Sequence, residues 1–361
     1  MNRSHTRFLV HRFSGPNDQG HRASRSPAMA VLRNAAVPRL SIVIPALGHN
    51  DLLENGLVSV LEHRPADSEV LVVLNGPYGD PYNLADEIRF VQAPAQAGLL
   101  DCLNLGYRSS TGDAIHFLGC GFEVAVGWAD GPLARLDAAG VGAVVPILMQ
   151  PGSHDAGVLA GVAYDPAGRA GLHFGSDTHW LSESEPLGPI GLAAFYSAAA
   201  LETLDEVFSA SVGPQWSDVD LALRLRAAGF RVEIEGTSRI IGDPSPFVND
   251  RPGLQRARFA ERLYWRHAAE FGHGKLLLPH LAVVAGEAAR SFPRPRILGE
   301  LFGRVLGCVE SLGQRSARPA PRPSPAATMS DAHRLDPSHD PSGPTLEPAA
   351  PARTRTSRTR V

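Results

Sequence analysis

The residues best placed for chemistry in this sequence follow a short apolar run. Residues 114–118 have the pattern of a buried strand, which ends at Gly119-Cys120-Gly121. In open α/β sheets, ligands bind at the carboxyl ends of such strands. A metal diphosphate would need hard oxygen ligands here. Glycine offers none, the thiol of Cys120 suits softer metals, and strand alternation favours a structural role for Glu123 over metal binding.

Two carboxylates form a second candidate set. Asp218 and Asp220 stand in the first turn of a predicted amphipathic helix that ends at Gly229. Acids at a helix start interact with the helix dipole and cap free N–H groups. Capping is therefore an alternative to a chemical role for Asp218, and for Asp220 the structural role is favoured.

An arginine cluster lies further along the chain. Such a cluster is a candidate for binding phosphate groups, and the favoured alternative is a solvated helix face. Its members are Arg251, Arg256, Arg258, Arg262 and Arg266.

The histidines give the weakest indication of a chemical role. His116 lies inside the apolar strand and is interpreted as a core histidine with its hydrogen bonds satisfied. A Gly-rich stretch at 150–190 contains further histidines and aspartates, but their spacing matches no standard metal site. We therefore interpret them as polar residues of a loop and not as metal ligands. They are His154, Asp155, His173, Asp177 and His179.

The elements that must position these residues alternate between strand and helix. The apolar runs predict strands at 40–45, 69–74, 88–91 and 114–118, with helices at 50–63 and 98–108 between them. This order predicts a doubly wound sheet with a parallel core. Further strands are predicted at 141–148, 191–197 and 231–234, with an antiparallel excursion within 150–190. Two or three helices are predicted over 252–312.

Composition limits the functional classes. The 361 residues are 43% hydrophobic, enough to bury one sizeable core. Residues 1–37 are Arg-rich, and the sequence from 313 onward is rich in Pro, Ser and Arg, so both ends are expected to be disordered. Because the net charge is −3 while both ends are basic, the folded middle must be acidic. That argues against nucleic acid as a partner.

Cysteine usage and hydropathy suggest a compartment. The three cysteines are widely spaced, which fits a reducing environment and a cytoplasmic location. No apolar run reaches the ~18 residues needed to span a bilayer. The apolar stretch 276–289 fits a packed helix better than a membrane-surface helix, and peripheral contact with the inner face of the membrane is left open.

Five segments in order resemble glycosyltransferase family 2, the inverting enzymes with the GT-A fold that use nucleotide-diphosphate sugars. Each segment is weak alone, but their order and spacing over about 39–271 carry the resemblance. The segments are LSIVIPALGHNDLLENGLVSVL (40–61), EVLVVLNG (69–76), QAGLLDCLNLGYRSSTGDAIHFL (96–118), FEVAVGW (122–128) and SDVDLALRLRAAGFRV (217–232).

The resemblance implies roles for individual positions. Asp218 matches the general base that deprotonates the acceptor hydroxyl. Six positions match contacts to the nucleotide sugar: Pro45, Ala46, Asn75, Gly98, Asn104 and Asp220. Two of these have alternatives from the residues themselves. Gly98 would permit close approach of helix and loop, and Asn104 would hydrogen-bond the 40–46 loop.

The resemblance also shows what is missing. The acid with which the family contacts the nucleotide aligns with Leu74. The Asp-x-Asp motif that binds the metal aligns with 119–121, and a further metal ligand of the family, commonly His, aligns with Gly242. The family norm is Mg²⁺ or Mn²⁺, which neutralises charge on the departing diphosphate. We expect no metal cofactor here, because the ligands are absent.

These observations predict a GT-A-like mixed α/β sheet over 38–272, a helical appendage over 273–312 and disordered segments at 1–37 and 313–361. Two functions compete. One is a weakened or metal-independent transferase that moves sugar from a nucleotide-diphosphate donor to a glycan, lipid or protein acceptor. The other is an inactive relative that binds or scaffolds in cell-surface polysaccharide assembly.

Overall fold

A computed structural model of the protein describes residues 39–48, 50–151, 158–175, 185–243, 253–268 and 273–315. Both termini predicted to be disordered lie outside these residues, apart from 313–315, which end the last helix. Several candidate residues are also outside the described part: His154, Asp155, Asp177, His179 and Arg251.

The first half of the chain alternates strands and helices as predicted. The elements are β1 (Leu40–Ala46), α1 (Asn50–His63), β2 (Ser68–Leu74), β3 (Arg89–Gln92), α2 (Leu99–Ser109) and β4 (Ala114–Leu118). Every residue of β1 and β4 is buried. Central strands of a parallel sheet are covered on both faces, which explains why they are continuous apolar runs rather than alternating ones.

The second half departs further from the predicted boundaries. The elements are β5 (Glu123–Val124), α3 (Asp130–Leu136), β6 (Val141–Met149), β7 (Val158–Tyr164), β8 (Ala170–Gly175), β9 (Ala193–Ser197), α4 (Ala198–Glu202), α5 (Ser217–Ala227) and β10 (Arg231–Ile241). β10 runs seven residues beyond the predicted end at 234. Pairing with β6 and then β5 extends it through a polar stretch that has no strand pattern of its own.

One sheet joins these strands in the order β3-β2-β1-β4-β9-β6-β10-β5, and β7 and β8 form an antiparallel hairpin added to β6. β1, β2, β3 and β4 are parallel to one another. β9 enters antiparallel between β4 and β6, with Ala193 opposite Leu118. The mixed sheet confirms the predicted fold class. The carboxyl ends of β1, β2 and β4 therefore share one edge with the start of β9.

His116 lies at the centre of the core, fully buried between the rings of Phe195 and Trp128. Its Nδ1 lies 2.9 Å from the Ala194 carbonyl oxygen. Its Nε2 has no hydrogen-bond partner among the described residues, so the histidine is only half satisfied, contrary to the prediction. Burial lowers the pKa of His116 to about 3 and keeps the ring neutral.

Three helices complete the chain: α6 (Leu254–His267), α7 (His273–Ser291) and α8 (Arg296–Arg315). α8 approaches α6 so closely that a Cβ at Gly303 or Gly307 would overlap the backbone of α6. The buried Glu261 of α6 binds both other helices, His280 at 3.2 Å and Arg304 at 3.0 Å. Among the described helices, none is long and apolar enough to cross a membrane.

Candidate active site

Four of the six predicted nucleotide-sugar positions lie together at the carboxyl edge of β1 and β2. Pro45 and Ala46 end β1, and the backbone N–H of Asn75 donates to the Ala46 carbonyl at 3.3 Å. The Asn75 amide donates to the Ala97 carbonyl at 3.2 Å, directly before Gly98 and the first turn of α2. This group forms a continuous backbone surface at the sheet edge.

Gly98 has a different structural role from the one predicted. Its backbone N–H donates to the Asp101 carboxylate at 3.0 Å, which fixes the start of α2. A Cβ at this position would come no closer than 3.7 Å to Asp101 Oδ2. The interpretation of Gly98 as a point of close helix-to-loop approach is therefore wrong, since a larger residue has room there.

Asn104 lies apart from the sheet-edge group. Its amide nitrogen donates to the Phe208 carbonyl at 2.8 Å, and its amide oxygen accepts from the Phe208 N–H at 3.0 Å. The alternative of a bond to the 40–46 loop is wrong. Paired bonds to one backbone unit occupy both ends of the amide, and they tie α2 to the segment before α5.

Asp220 is fully buried and serves the packing of α5 on α6. Its carboxylate binds Arg224 at 2.8 Å, His267 at 2.9 Å and Arg266 at 3.2 Å. Burial alone would raise the pKa of Asp220, but the hydrogen bond from His267 and the two arginine charges outweigh it and lower the pKa. The structural role is thus favoured by geometry, and a direct sugar contact at Asp220 is not accessible in this arrangement.

The place that the resemblance assigns to the metal is filled by a side chain. β5 pairs antiparallel with β10, with Glu123 opposite Ile241, and this register brings Phe122 beside Gly242. A Cβ at Gly119 would lie 2.9 Å from the Phe122 ring, and one at Gly242 would overlap the same ring. The ring is fully buried. Two aligned ligand positions thus face one phenyl group, which provides no metal ligand.

The remaining donors near this ring do not restore a cation site. Burial raises the pKa of the Cys120 thiol to about 11, so the thiolate that binds metals is disfavoured. Gly121 has φ +84°, and a Cβ there would lie 3.0 Å from the Leu52 Cβ. Within the described residues, no three His, Cys, Asp or Glu side chains group as metal ligands. The residues present do not fit Mg²⁺ or Mn²⁺.

Asp218 has different surroundings. It lines a cavity of about 160 Å³ whose wall also includes Leu99 of α2, Gly191, Trp216 and Arg256. The carboxylate accepts hydrogen bonds from the Gly191 N–H and from the Ser217 hydroxyl at 3.1 Å. Leu192 of the same wall accepts a hydrogen bond from the Gly119 N–H at 2.8 Å, which places the cavity at the carboxyl edge of the sheet.

The electrostatics of Asp218 suit proton transfer. Burial raises its pKa to about 6, although the hydrogen bonds from Gly191 and Ser217 oppose the shift. A carboxylate with a pKa near the working pH is an efficient general base. The capping interpretation holds in part, since Asp218 lies in the first turn of α5 and its carboxylate also accepts a hydrogen bond from its own backbone N–H.

The arginine cluster is neither a solvated face nor a single binding patch. Arg258 and Arg262 bind Glu310 at 2.6 Å and 3.6 Å, and Arg266 binds Asp220. Arg256 differs, because its guanidinium lies over the Trp216 ring, 5.1 Å from the centroid, at the cavity that contains Asp218. Of the four described members of the cluster, Arg256 is the one that lines this cavity.

Sequence reasoning missed two residues of this region. Trp216 directly precedes the Ser217-Asp218 pair, so proximity to a candidate base was an available signal. The position of Phe122 could not be predicted, because a phenylalanine that follows a strand and two glycines has the pattern of an ordinary core residue. His173, from the predicted loop cluster, belongs to strand β8.

No protein-family model matches the sequence, and no curated protein sequence matches it. Solved structures do match the chain. TarS of S. aureus aligns at TM-score 0.54 with 11% identity, covering 77% of this chain and 50% of that chain. GalNAc-T7 with UDP, GalNAc and Mn²⁺ aligns at TM-score 0.51 with 13% identity, covering 84% and 59%. The mannosyltransferase PcManGT of Pyrobaculum calidifontis, with GDP-Man and Mn²⁺, aligns at TM-score 0.44 with 17% identity, covering 82% and 79%.

At sequence identities this low, the similarity to these structures shows the fold alone. The chain has the GT-A glycosyltransferase fold, which confirms the architecture that the five sequence segments predict. It spans just over half of the GalNAc-T7 chain and half of the TarS chain.

Proposed function

We propose that this protein is a glycosyltransferase that works without a Mg²⁺ or Mn²⁺ cofactor, with Asp218 as the general base. The observation that carries the proposal is the partly exposed carboxylate of raised pKa on a cavity wall, next to the carboxyl edge of β1 and β2. In open α/β sheets, of which the GT-A fold is one, ligands bind at the carboxyl edge of the strands. The proposed donor is a nucleotide-diphosphate sugar, and the proposed acceptor carries a hydroxyl on a glycan, lipid or protein.

The proposed chemistry is an inverting displacement. Asp218 takes the proton of the acceptor hydroxyl while the hydroxyl oxygen forms a bond to the anomeric carbon. The bond from that carbon to the nucleotide diphosphate breaks, and the diphosphate leaves with the electron pair. Arg256, at the same cavity, supplies positive charge toward the anionic ligand. Pro45, Ala46, Asn75 and Gly98 form the proposed nucleotide-sugar surface, whereas Asn104 and Asp220 support the scaffold.

Metal independence follows from the packing around Phe122. A divalent ion normally neutralises the leaving diphosphate, and one arginine replaces that effect only in part. We therefore infer slow transfer. The proposal predicts a rate that rises as Asp218 loses its proton, through about pH 6.

A titration of nucleotides tests the proposal. The melting temperature is measured with UDP, GDP and dTDP, each with and without Mn²⁺. We expect one nucleotide to raise the melting temperature, and Mn²⁺ to leave that shift unchanged. A shift that requires Mn²⁺ would contradict the role assigned to Phe122.

A second candidate function is a non-catalytic relative that binds or scaffolds in cell-surface polysaccharide assembly. Two observations favour it: Phe122 fills the place of the metal, and the polar groups of Asn104 and Asp220 are bound within the protein. The same titration separates the candidates. No shift with any nucleotide, together with no consumption of their sugar derivatives, would leave only this second function.

A further inference from the structure

The last helix carries an apolar stripe that the fold leaves exposed. Six side chains of α8 lie at spacings of three and four residues, and their exposed fractions range from 40% to 72%. This spacing places all six on one face over about four turns, or roughly 20 Å. They are Leu298, Leu301, Phe302, Val305, Val309 and Leu312. We call this set the α8 stripe.

Packing on the opposite face prevents the α8 stripe from turning inward. Gly303 and Gly307 lie against the backbone of α6 so tightly that no Cβ would fit. Glu310 is held by Arg258 at 2.6 Å, and the buried Arg304 binds Glu261 at 3.0 Å. The helix is therefore fixed in rotation, and the stripe must face something other than the protein's own core.

More apolar surface is exposed on the adjoining segments. Leu278 and Leu281 of α7 are 79% and 52% exposed, and Phe292, in the turn between α7 and α8, is 72% exposed. Exposed large apolar side chains on three consecutive segments indicate an interaction site, because single scattered ones would not.

The charges around this surface are mainly positive. From 273 to 315 the sequence has six basic and three acidic side chains, in a chain whose net charge is −3. Each of the three acids binds an arginine: Glu287 with Arg304, Glu300 with Arg296 and Glu310 with Arg258. Arg290 and Arg294 are exposed on either side of Phe292. Basic residues continue after α8 with Arg318 and Arg322, and no acid follows before Asp331.

We propose that the α8 stripe and the Phe292 turn bind the surface of an anionic phospholipid bilayer. An apolar helix face with basic flanks, too short and too polar overall to span, is the pattern of a helix that lies in the membrane interface. Anionic headgroups complement the arginines. A second copy of the chain fits less well, because it presents the same basic residues beside the stripe and not a complementary negative surface. The proposal does not depend on sugar transfer, since binding is measured without substrate.

Vesicle binding of the full-length protein tests it. Vesicles of phosphatidylcholine are compared with equal mixtures of phosphatidylcholine and phosphatidylglycerol, and bound protein is measured by co-sedimentation. We expect binding to the mixed vesicles only, weakened by salt because the arginine contribution is screened.

Paired substitutions locate the surface. Val305→Glu with Val309→Glu places two charges on the α8 stripe, at side chains that are 60% and 61% exposed. We expect at least about a tenfold loss of vesicle affinity. The matched control is Val58→Glu with Val126→Glu. These two valines lie outside α8 and are 58% and 82% exposed, so the control variant should bind vesicles as the wild type does. Arg290→Gln with Arg294→Gln should weaken binding about fivefold per arginine.

Three outcomes would overturn the proposal. These are no sedimentation of the wild type with mixed vesicles, equal binding to neutral vesicles, and binding of the Val305/Val309 pair as tight as that of the control pair. Light scattering on the same proteins adds a further check. A wild-type dimer that the Val305/Val309 pair converts to monomer, without vesicle binding, would assign the stripe to a second copy.

Discussion

Two regions at the carboxyl edge of the sheet differ sharply. Beside Gly119 and Gly242 the space is filled by the buried ring of Phe122. Around Asp218 a cavity of about 160 Å³ stays open, with a carboxylate and an arginine on its wall. In a GT-A fold the first region is expected to hold the metal and the second the acceptor base. One region has become core, and the other has kept the properties of a reactive site.

The difference shows that this fold accommodates a packed aromatic ring in a place where carboxylates could hold a cation. Removing metal-binding carboxylates alone would leave a cavity and unpaired backbone groups, and cavities in a core are destabilising. Here glycines at 119 and 242 let an aromatic ring occupy the space. A partly buried carboxylate at Asp218 is itself unfavourable, as its raised pKa shows. Its position on a cavity wall supports a chemical role, because a packed apolar side chain would stabilise the region more.

The largest expected effect is on activity. Asp218→Asn keeps the shape of the side chain but removes the base, so sugar transfer should fall by about 10²–10⁴-fold. Donor consumption is measured with the nucleotide sugar identified by titration. The control is Asp86→Asn, an exposed acid outside the cavity, which should retain full activity. Equal activity of both variants would show that Asp218 is not the base.

The next effect is on stability at the filled region. Phe122→Ala should lower the free energy of unfolding by about 3–5 kcal/mol, because it opens a cavity in the core. Denaturant unfolding measures the change. Phe302→Ala removes a ring that is 56% exposed and should change stability by less than about 0.5 kcal/mol. Similar values for both phenylalanines would mean that the Phe122 ring is not part of the core.

Restoring the motif should fail for a steric reason. Gly119→Asp places a side chain against the Phe122 ring, and Gly121→Asp forces a side chain onto a backbone with φ +84°. We expect each to destabilise by about 1–3 kcal/mol. The double variant should show no Mn²⁺-dependent melting shift and no donor hydrolysis. In a Phe122→Ala background the destabilisation by Gly119→Asp should shrink, and strict additivity would count against direct contact.

The smallest effect is a pH-dependent change in stability. The folded pKa of Asp218 is about 6 and its ordinary value is 3.8, so the folded state holds the proton more tightly. Stability from this group is present below the ordinary pKa and is lost as pH rises through about 6. Asp218→Asn should therefore be more stable than the wild type by roughly 1–3 kcal/mol above pH 6, and equal to it near pH 3. A constant difference across this range would contradict the shifted pKa.

Some residues of the site were predictable from the sequence and others were not. Asp218 could be proposed as the base because segment 217–232 resembles a family segment, whereas its place at the start of an amphipathic helix by itself indicates only a cap. The structural use of Asn104 and Asp220 could not, since Phe208 and His267, their partners, lie 104 and 47 residues away along the chain. Two polar residues on helices look alike in sequence whether they meet a ligand or a distant backbone group.

The sequence by itself determined the order of strands and helices, because continuous apolar runs and helical periodicity are properties of neighbouring residues. It also determined that 119–121 contains no carboxylate. Only the tertiary structure decided what fills the space there, because the register of β5 on β10 brings Phe122 to Gly242. It alone decided which face of α8 is exposed, since that depends on how closely α8 packs against α6. Both outcomes depend on contacts between segments far apart in the chain, and no local pattern encodes them.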